Sequence, residues 1–313
     1  MKIVFMGSGI FAVPMLRALA KVVEIQGVFT QPDRPAGRHL KLTPPPVKEE
    51  AESLDLPIFQ PETLKTPEIT DQIKEFHPDA IVVGAYGQII PQDILDVPRL
   101  GPINLHASLL PKYRGAAPIH WAIINGERQT GVSTFFMDAG VDTGPILLRR
   151  AIRIDPDDNV ITVESKLAKV GSFLMLETLD LLSQERLRAV RQDDSIATKA
   201  PKLKKEDGQV DWSKSAWMLD CFVRGTYPFP GAYTFINDHR LKIHKAEMVD
   251  KEATGNPGEI VGIAADRILV QAGQGVIELK EVQPASKARM SAGDFAHGYH
   301  IEKGMTFDGL KRD

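Results

Sequence analysis

Lys2-Ile3-Val4-Phe5-Met6, followed by Gly7-Ser8-Gly9, is the stretch that decides the fold. The first five residues are a short, mostly apolar run, and the glycines that end it mark a tight turn. A buried strand leading into a helix reads this way. Residues 11–20 then carry Phe11, Met15, Leu16 and Leu19 near one helical face. Residues 22–30 read as a second strand. Asp79-Ala80-Ile81-Val82-Val83-Gly84 is another buried run, preceded by a helical stretch near 67–75. Ile103-Asn104-Leu105-His106 and Val132-Ser133-Thr134-Phe135-Phe136 continue the series, and 159–183 reads as one long amphipathic helix that closes it. Strands alternating with helices predict an α/β unit with a Rossmann-like, doubly wound parallel sheet.

The pattern changes after this unit. Between 186 and 205, seven basic residues (Arg186, Arg188, Arg191, Lys199, Lys202, Lys204, Lys205) face two acids, Asp193 and Asp194, around Pro201. Such a tract reads as a connector. Beyond it, β-like runs at 232–236, 239–246, 258–264, 267–272 and 275–283 are separated by Gly, Pro and Asn/Asp turns. Five short strands at this spacing predict a small OB-like β-barrel. The expected organisation is a first domain over 1–189, a basic linker over 190–206, and a barrel over 207–313.

Bulk composition narrows the function classes. At roughly 100–200 residues per domain, a chain of 313 residues supports two domains. A net charge of −3 rules out a bulk polycation, so any nucleic-acid contact must come from local basic segments. The single cysteine, Cys221, excludes an intramolecular disulfide and a multi-cysteine zinc site, and reads as packing. His297 and His300 lack the further ligands that a metal site needs. No stretch approaches the ~20 apolar residues of a membrane span. A cytoplasmic protein is expected.

The chemistry centres on Gly101-Pro102-Ile103-Asn104-Leu105-His106-Ala107-Ser108-Leu109-Leu110-Pro111. Asn104 and His106 are two apart in a strand-like run, so their side chains share a face. They lie at the carboxyl end, where open α/β sheets bind ligands. An amide and an imidazole there can converge on one carbonyl oxygen. Asp142, in the turn Met137-Asp138-Ala139-Gly140-Val141-Asp142-Thr143-Gly144-Pro145, can orient His106 and favour its cationic form. The same residues also fit a turn asparagine, a satisfied buried histidine and a loop-capping carboxylate.

Two rival functions follow from other segments. Gly7-Ser8-Gly9-Ile10-Phe11-Ala12 nearly fits the dinucleotide fingerprint. That fingerprint needs an acid ending the second strand, which here ends in Phe29-Thr30-Gln31, with Asp33 falling in a Pro-rich loop. A tight strand-to-helix turn is the better reading. A stand-alone RNA-binding barrel is disfavoured because 207–313 carries no obvious basic excess and few exposed-looking aromatics.

Longer motifs add specificity. Asn104-x-His106, then Ser108 to Ile119, then Asp138-x-Gly140-x-Asp142-Thr143-Gly144, resembles the signature of the folate-dependent formyltransferases. Phe29-Thr30-Gln31-Pro32-Asp33-Arg34-Pro35-Ala36-Gly37-Arg38, Ala85-Tyr86-Gly87-Gln88-Ile89-Ile90-Pro91 and Pro201 to Trp212 resemble its methionyl-tRNA branch. The resemblance runs from residue 1 to near 290. Ser8-Gly9, Ala107 and Phe229 depart from the usual pattern, and none touches the three polar residues.

The resemblance implies a formyltransferase fold and an enzyme that moves the formyl group of 10-formyltetrahydrofolate onto the amino group of initiator methionyl-tRNA. The product is N-formylmethionyl-tRNA for translation initiation. It implies Asn104, His106 and Asp142 as catalytic residues. Folate would lie against Ser108, Leu109, Leu110 and Pro111, beside Tyr86, Gly87, Gln88 and Ile89 and the turn with Asp138 and Gly140. Arg34, Arg38 and Lys41 in the loop 31–46, and Lys202, Lys204 and Lys205 after it, would contact tRNA. No metal is implied, and a monomer is expected. A nucleotide-sugar formyltransferase is the nearest alternative, disfavoured by the loop through Arg38 and by the extra C-terminal domain.

Overall fold

The computed structural model describes residues 1–36, 41–237, 239–250 and 254–308. Its contacts divide the chain into two compact units. The first comprises 1–118, 129–153 and 164–200, and the second 119–128, 154–163 and 201–313.

In order, the elements of the first part are β1 (Lys2–Gly7), α1 (Val13–Leu19), β2 (Glu24–Phe29), β3 (Arg34–Ala36), β4 (Lys41–Thr43), α2 (Pro46–Ser53), β5 (Ile58–Phe59), α3 (Pro67–Glu75), β6 (Ala80–Gly84), α4 (Gln92–Leu95), β7 (Pro102–His106), α5 (Pro118–Ile124), β8 (Gln129–Phe136), β9 (Ile146–Arg153) and α6 (Val160–Ser183). Proline opens several helices, because its ring presets φ and its missing N–H is not needed in the first turn. Pro14, Pro46 and Pro67 all stand in that position.

The first unit's sheet has seven strands in the order β5-β2-β1-β6-β7-β8-β9. From β5 to β7 every pairing is parallel. The sheet then departs from an all-parallel arrangement. β8 runs antiparallel to β7, with Asn104 opposite Phe135 and His106 opposite Ser133, and β9 runs antiparallel to β8. The seven-residue α5 rises only ~10 Å, and β8 enters beside the carboxyl end of β7. Under one face, Val4, Met6, Phe29, Ile73, Ile81 and Val83 join in one buried cluster. Burying such a side chain stabilises by ~1.5–3 kcal/mol.

The loop expected over 31–46 is more structured than its sequence indicates. β3 and β4 pair antiparallel, and α2 begins at Pro46. Its base is anchored, since Lys48 Nζ donates to both oxygens of Asp33 at 2.9 and 2.8 Å, and Gln60 Nε2 donates to Oδ1 at 2.7 Å. The Gln60 and Lys48 hydrogen bonds hold the Asp33 carboxyl below its ordinary range. Arg38 lies outside the described residues.

The second unit carries α7 (Ala216–Thr226), β10 (Ala232–Ile236), β11 (His239–Val249), β12 (Ile260–Ile263), β13 (Ile268–Gln271), β14 (Val276–Pro284), β15 (Met290–Ser291) and α8 (Ala292–Gly298). The five expected strands are all present, in the antiparallel order β10-β11-β14-β13-β12, with β15 added beside β14. The segment 305–308 links the two outer strands. Thr306 bridges Glu259 just before β12, and Asp308 bridges Phe235 of β10. Phe307 is buried and stacks on Trp212 with ring centroids 5.5 Å apart.

Cys221, on α7, is 1% exposed, and burial pushes its thiol up to about 11. The thiolate is the reactive form. Iodoacetamide at pH 8 is therefore expected to leave the native protein unlabelled while modifying the urea-unfolded chain. Equal labelling rates in the two states would refute the buried placement.

Candidate active site

β7 places Asn104 and His106 on one face, with Phe135 of β8 beside them. The His106 ring meets the Phe135 ring edge to face, centroids 6.5 Å apart. Because β8 is antiparallel, its end lies beside the start of β7, and the Met137 N–H donates to the Pro102 carbonyl at 2.9 Å. The turn that follows folds back far enough to bring Asp142 to His106.

That turn is built from its own side chains. Asp138 Oδ1 accepts from the Gly140 N–H at 3.0 Å and from Thr143 Oγ1 at 2.7 Å. Asp142 has φ 54°, a left-handed conformation that Asp tolerates better than most residues. Its carboxylate Oδ2 accepts from the Gly115 N–H at 2.8 Å and lies 3.5 Å from His106 Nδ1. The side chains are 7% exposed for His106 and 14% for Asp142, so water screens the pair weakly.

The other ring nitrogen is also engaged. His106 Nε2 lies 2.9 Å from the Tyr113 carbonyl, which can only accept. The hydrogen bond to that carbonyl places a hydrogen on Nε2, while Nδ1 faces the Asp142 carboxylate. The distance to Asp142 exceeds that of a formed hydrogen bond, as is common before substrate binds. Asn104 is half-buried, and among the described residues no side chain or backbone group takes its amide. The structure thus sets an imidazole facing a carboxylate beside one amide that is uncommitted among the described residues.

The residues expected to hold folate divide into two groups. Tyr86, Ser108, Leu110 and Pro111 are buried. Ser108 Oγ donates to the Lys112 carbonyl, and the Ser108 carbonyl accepts from Ser133 Oγ. Among the described residues the buried Tyr86 hydroxyl has no partner, and desolvation pushes its pKa up to about 12. Gly87, Ile89, Asp138 and Gly140 are exposed, and Gln88 and Leu109 partly so. Ile89 at 83% and Val141 at 71% exposure present apolar surface on two loops of this unit.

Arg34, Lys41, Lys202, Lys204 and Lys205 are exposed. Among the described residues, no three His, Cys, Asp or Glu side chains form a metal-binding group, and no helix is long and apolar enough to cross a membrane. Sequence reasoning missed the Tyr113 carbonyl and the Gly115 N–H, because backbone groups leave no residue-type signal. It also missed Gln192, which sits in a tract dominated by basic residues and donates to the Asp142 carbonyl.

Comparisons with known proteins agree along nearly the whole chain. The family model described as Formyl transferase matches residues 1–179, and that of the Formyl transferase C-terminal domain matches 202–300. A methionyl-tRNA formyltransferase of Geobacter sulfurreducens is 47% identical over 97% of this chain and 96% of its own length. One of Citrifermentans bemidjiense is 46% identical over 97% and 95%. Among solved structures, the sugar 3N-formyl transferase WlaRD, crystallised with dTDP and 5-N-formyl-THF, superposes with a TM-score of 0.66 at 18% identity. The match covers 92% of this chain and 99% of that one.

Proposed function

The chain belongs to the methionyl-tRNA formyltransferase family, and we propose that it uses 10-formyltetrahydrofolate as donor, with Asn104, His106 and Asp142 as the catalytic group. It is a formyl-group transferase acting on initiator methionyl-tRNA. The observation that carries the catalytic reading is the Asn104 amide, without a partner among the described residues, two residues from an imidazole that the Tyr113 carbonyl holds and the Asp142 carboxylate faces.

The neutral methionine amine attacks the formyl carbon. A new C–N bond forms, and the formyl oxygen takes up negative charge. Asn104 N–H donates to that oxygen, and the His106 Nε2 proton turns to it from the Tyr113 carbonyl. The bond from the formyl carbon to the donor nitrogen then breaks. One proton passes from the attacking to the leaving nitrogen, with the His106–Asp142 pair as relay. Exposed Ile89 and Val141 favour a flat apolar ring nearby. Arg34, Arg38, Lys41, Lys202, Lys204 and Lys205 hold tRNA phosphates, and the barrel of 207–313 supports that binding across the 190–206 segment. The working form is a monomer.

Incubation with methionyl-tRNA and 10-formyltetrahydrofolate is expected to block the methionine amine with a formyl group. A nucleotide amino sugar offered in place of the tRNA should stay unmodified. Formylation of the sugar but not the tRNA would overturn the assignment.

A further inference from the structure

Asp142 stands in a conformation that costs on the order of 1–3 kcal/mol for a residue with a side chain, at φ 54°. Its carboxylate matters only if the turn is held where the oxygen meets His106. The Asp138 cap fixes the first half of that turn, through Gly140 and Thr143. The second half is fixed from elsewhere in the chain. Gln192 Nε2 donates to the Asp142 carbonyl at 2.8 Å and to the Gly144 carbonyl at 2.7 Å. Both amide hydrogens are thereby used.

Gln192 is 6% exposed, and its Oε1 accepts from Arg114 Nε at 3.0 Å. Arg114 is itself fixed. Its Nη2 donates to Asp194 at 2.8 Å, its N–H to the Thr198 carbonyl at 2.8 Å, and its carbonyl accepts from the Ala200 N–H at 2.7 Å. The next residue, Gly115, supplies the N–H that binds the Asp142 carboxylate. The segment 192–200 and the segment 114–115 therefore grip one residue at two points, its backbone carbonyl and its side-chain oxygen. A buried amide with its donors and acceptor all satisfied is worth more than its separate bonds, because leaving any group unpaired costs desolvation.

We propose that Gln192 is a positioning residue for this reaction, setting the distance between the Asp142 carboxylate and His106 through the backbone of the turn. The inference rests on the reading that Asp142 serves formyl transfer.

The test uses the full-length enzyme with methionyl-tRNA and 10-formyltetrahydrofolate. Gln192→Met fills the same space without donors or acceptor. It is expected to lower kcat about ten- to a hundredfold, since misplacing a reacting group by about 1 Å costs on the order of 10² in rate, with KM for methionyl-tRNA little changed and cooperative thermal unfolding retained. In an Asp142→Asn background the further loss on adding Gln192→Met should shrink to less than about twofold, because groups acting as one unit are not additive. Gln192→Glu provides a second variant. It keeps the side-chain length and the Arg114 contact but turns an oxygen on the two carbonyls, and the same pattern is expected. A wild-type kcat in both variants, or an undiminished loss in the Asp142→Asn background, overturns the positioning role. Wild-type kcat for Asp142→Asn alone would instead remove the carboxylate's part in the reaction.

Discussion

Asn104→Ala is expected to slow formyl transfer by about 10²–10³-fold, the usual cost of losing one oxyanion donor, while the folded protein stays nearly as stable as before. The second half of that expectation follows from the geometry. The Asn104 amide is half-buried and makes no hydrogen bond among the described residues. Its removal strands no partner, and stranded partners are what make polar deletions expensive. His106→Ala should lower the rate by at least as much but is a less clean test. It removes one partner of the Tyr113 carbonyl and takes away the imidazole that the Asp142 carboxylate faces. Asp142→Ala, likewise expected to be nearly inactive, frees the Gly115 N–H as well. Single-turnover formylation beside thermal unfolding separates chemistry from folding for each variant. Near-normal turnover in folded His106→Ala would end the mechanism, and a large stability loss in Asn104→Ala would contradict the free amide.

Gly144→Ala should be almost as damaging to the reaction, for a steric reason. A Cβ built on Gly144 falls on the carbonyl oxygen of Phe136, backbone that cannot swing aside, and lies 3.4 Å from the Phe135 ring. Relief requires the turn to move outward. That breaks the hydrogen bond from the Phe136 N–H to the Pro145 carbonyl, 3.0 Å, and drags the Gly144 carbonyl from Gln192. Asp142 travels with the turn. Overpacking of this kind costs about 1–3 kcal/mol, and a displacement near 1 Å costs on the order of 10² in rate. The expected result is a protein that unfolds at lower temperature and transfers formyl at least about a hundredfold more slowly. Wild-type kcat in Gly144→Ala would mean that the turn does not need to be held where it is.

The catalytic candidates were legible because strand periodicity puts residues i and i+2 on one side. Asn104 and His106 share a face for that reason. Asp142 was legible as a carboxylate in a glycine-rich turn, and the resemblance in motif sharpened it. The direction of β8 was not legible. Val132 to Phe135 is buried throughout, and a run buried on both faces reads identically whichever way the strand points. β9 was missed because its burial fades into exposed Arg149 and Arg150, and α2 because Pro44, Pro45 and Pro46 read as loop when Pro46 is the first residue of a helix. Gln192 had no signal of its own. Its importance comes from which carbonyls it reaches, and those are 48 and 50 residues away in the chain.

The segment 305–308 has a further consequence. A β-sheet that ends in open water offers a row of bare amides and carbonyls to any other chain that passes. Here Phe307 N–H donates to the Gly258 carbonyl, and Asp308 N–H donates to the Phe235 carbonyl, so one short stretch occupies both flanks of the second unit's sheet. Trp212 and Phe307 fasten it by their stacked rings. A chain cut short before Thr306 would bare both flanks, and is expected to sediment with a concentration-dependent increase in mass that the full chain does not show.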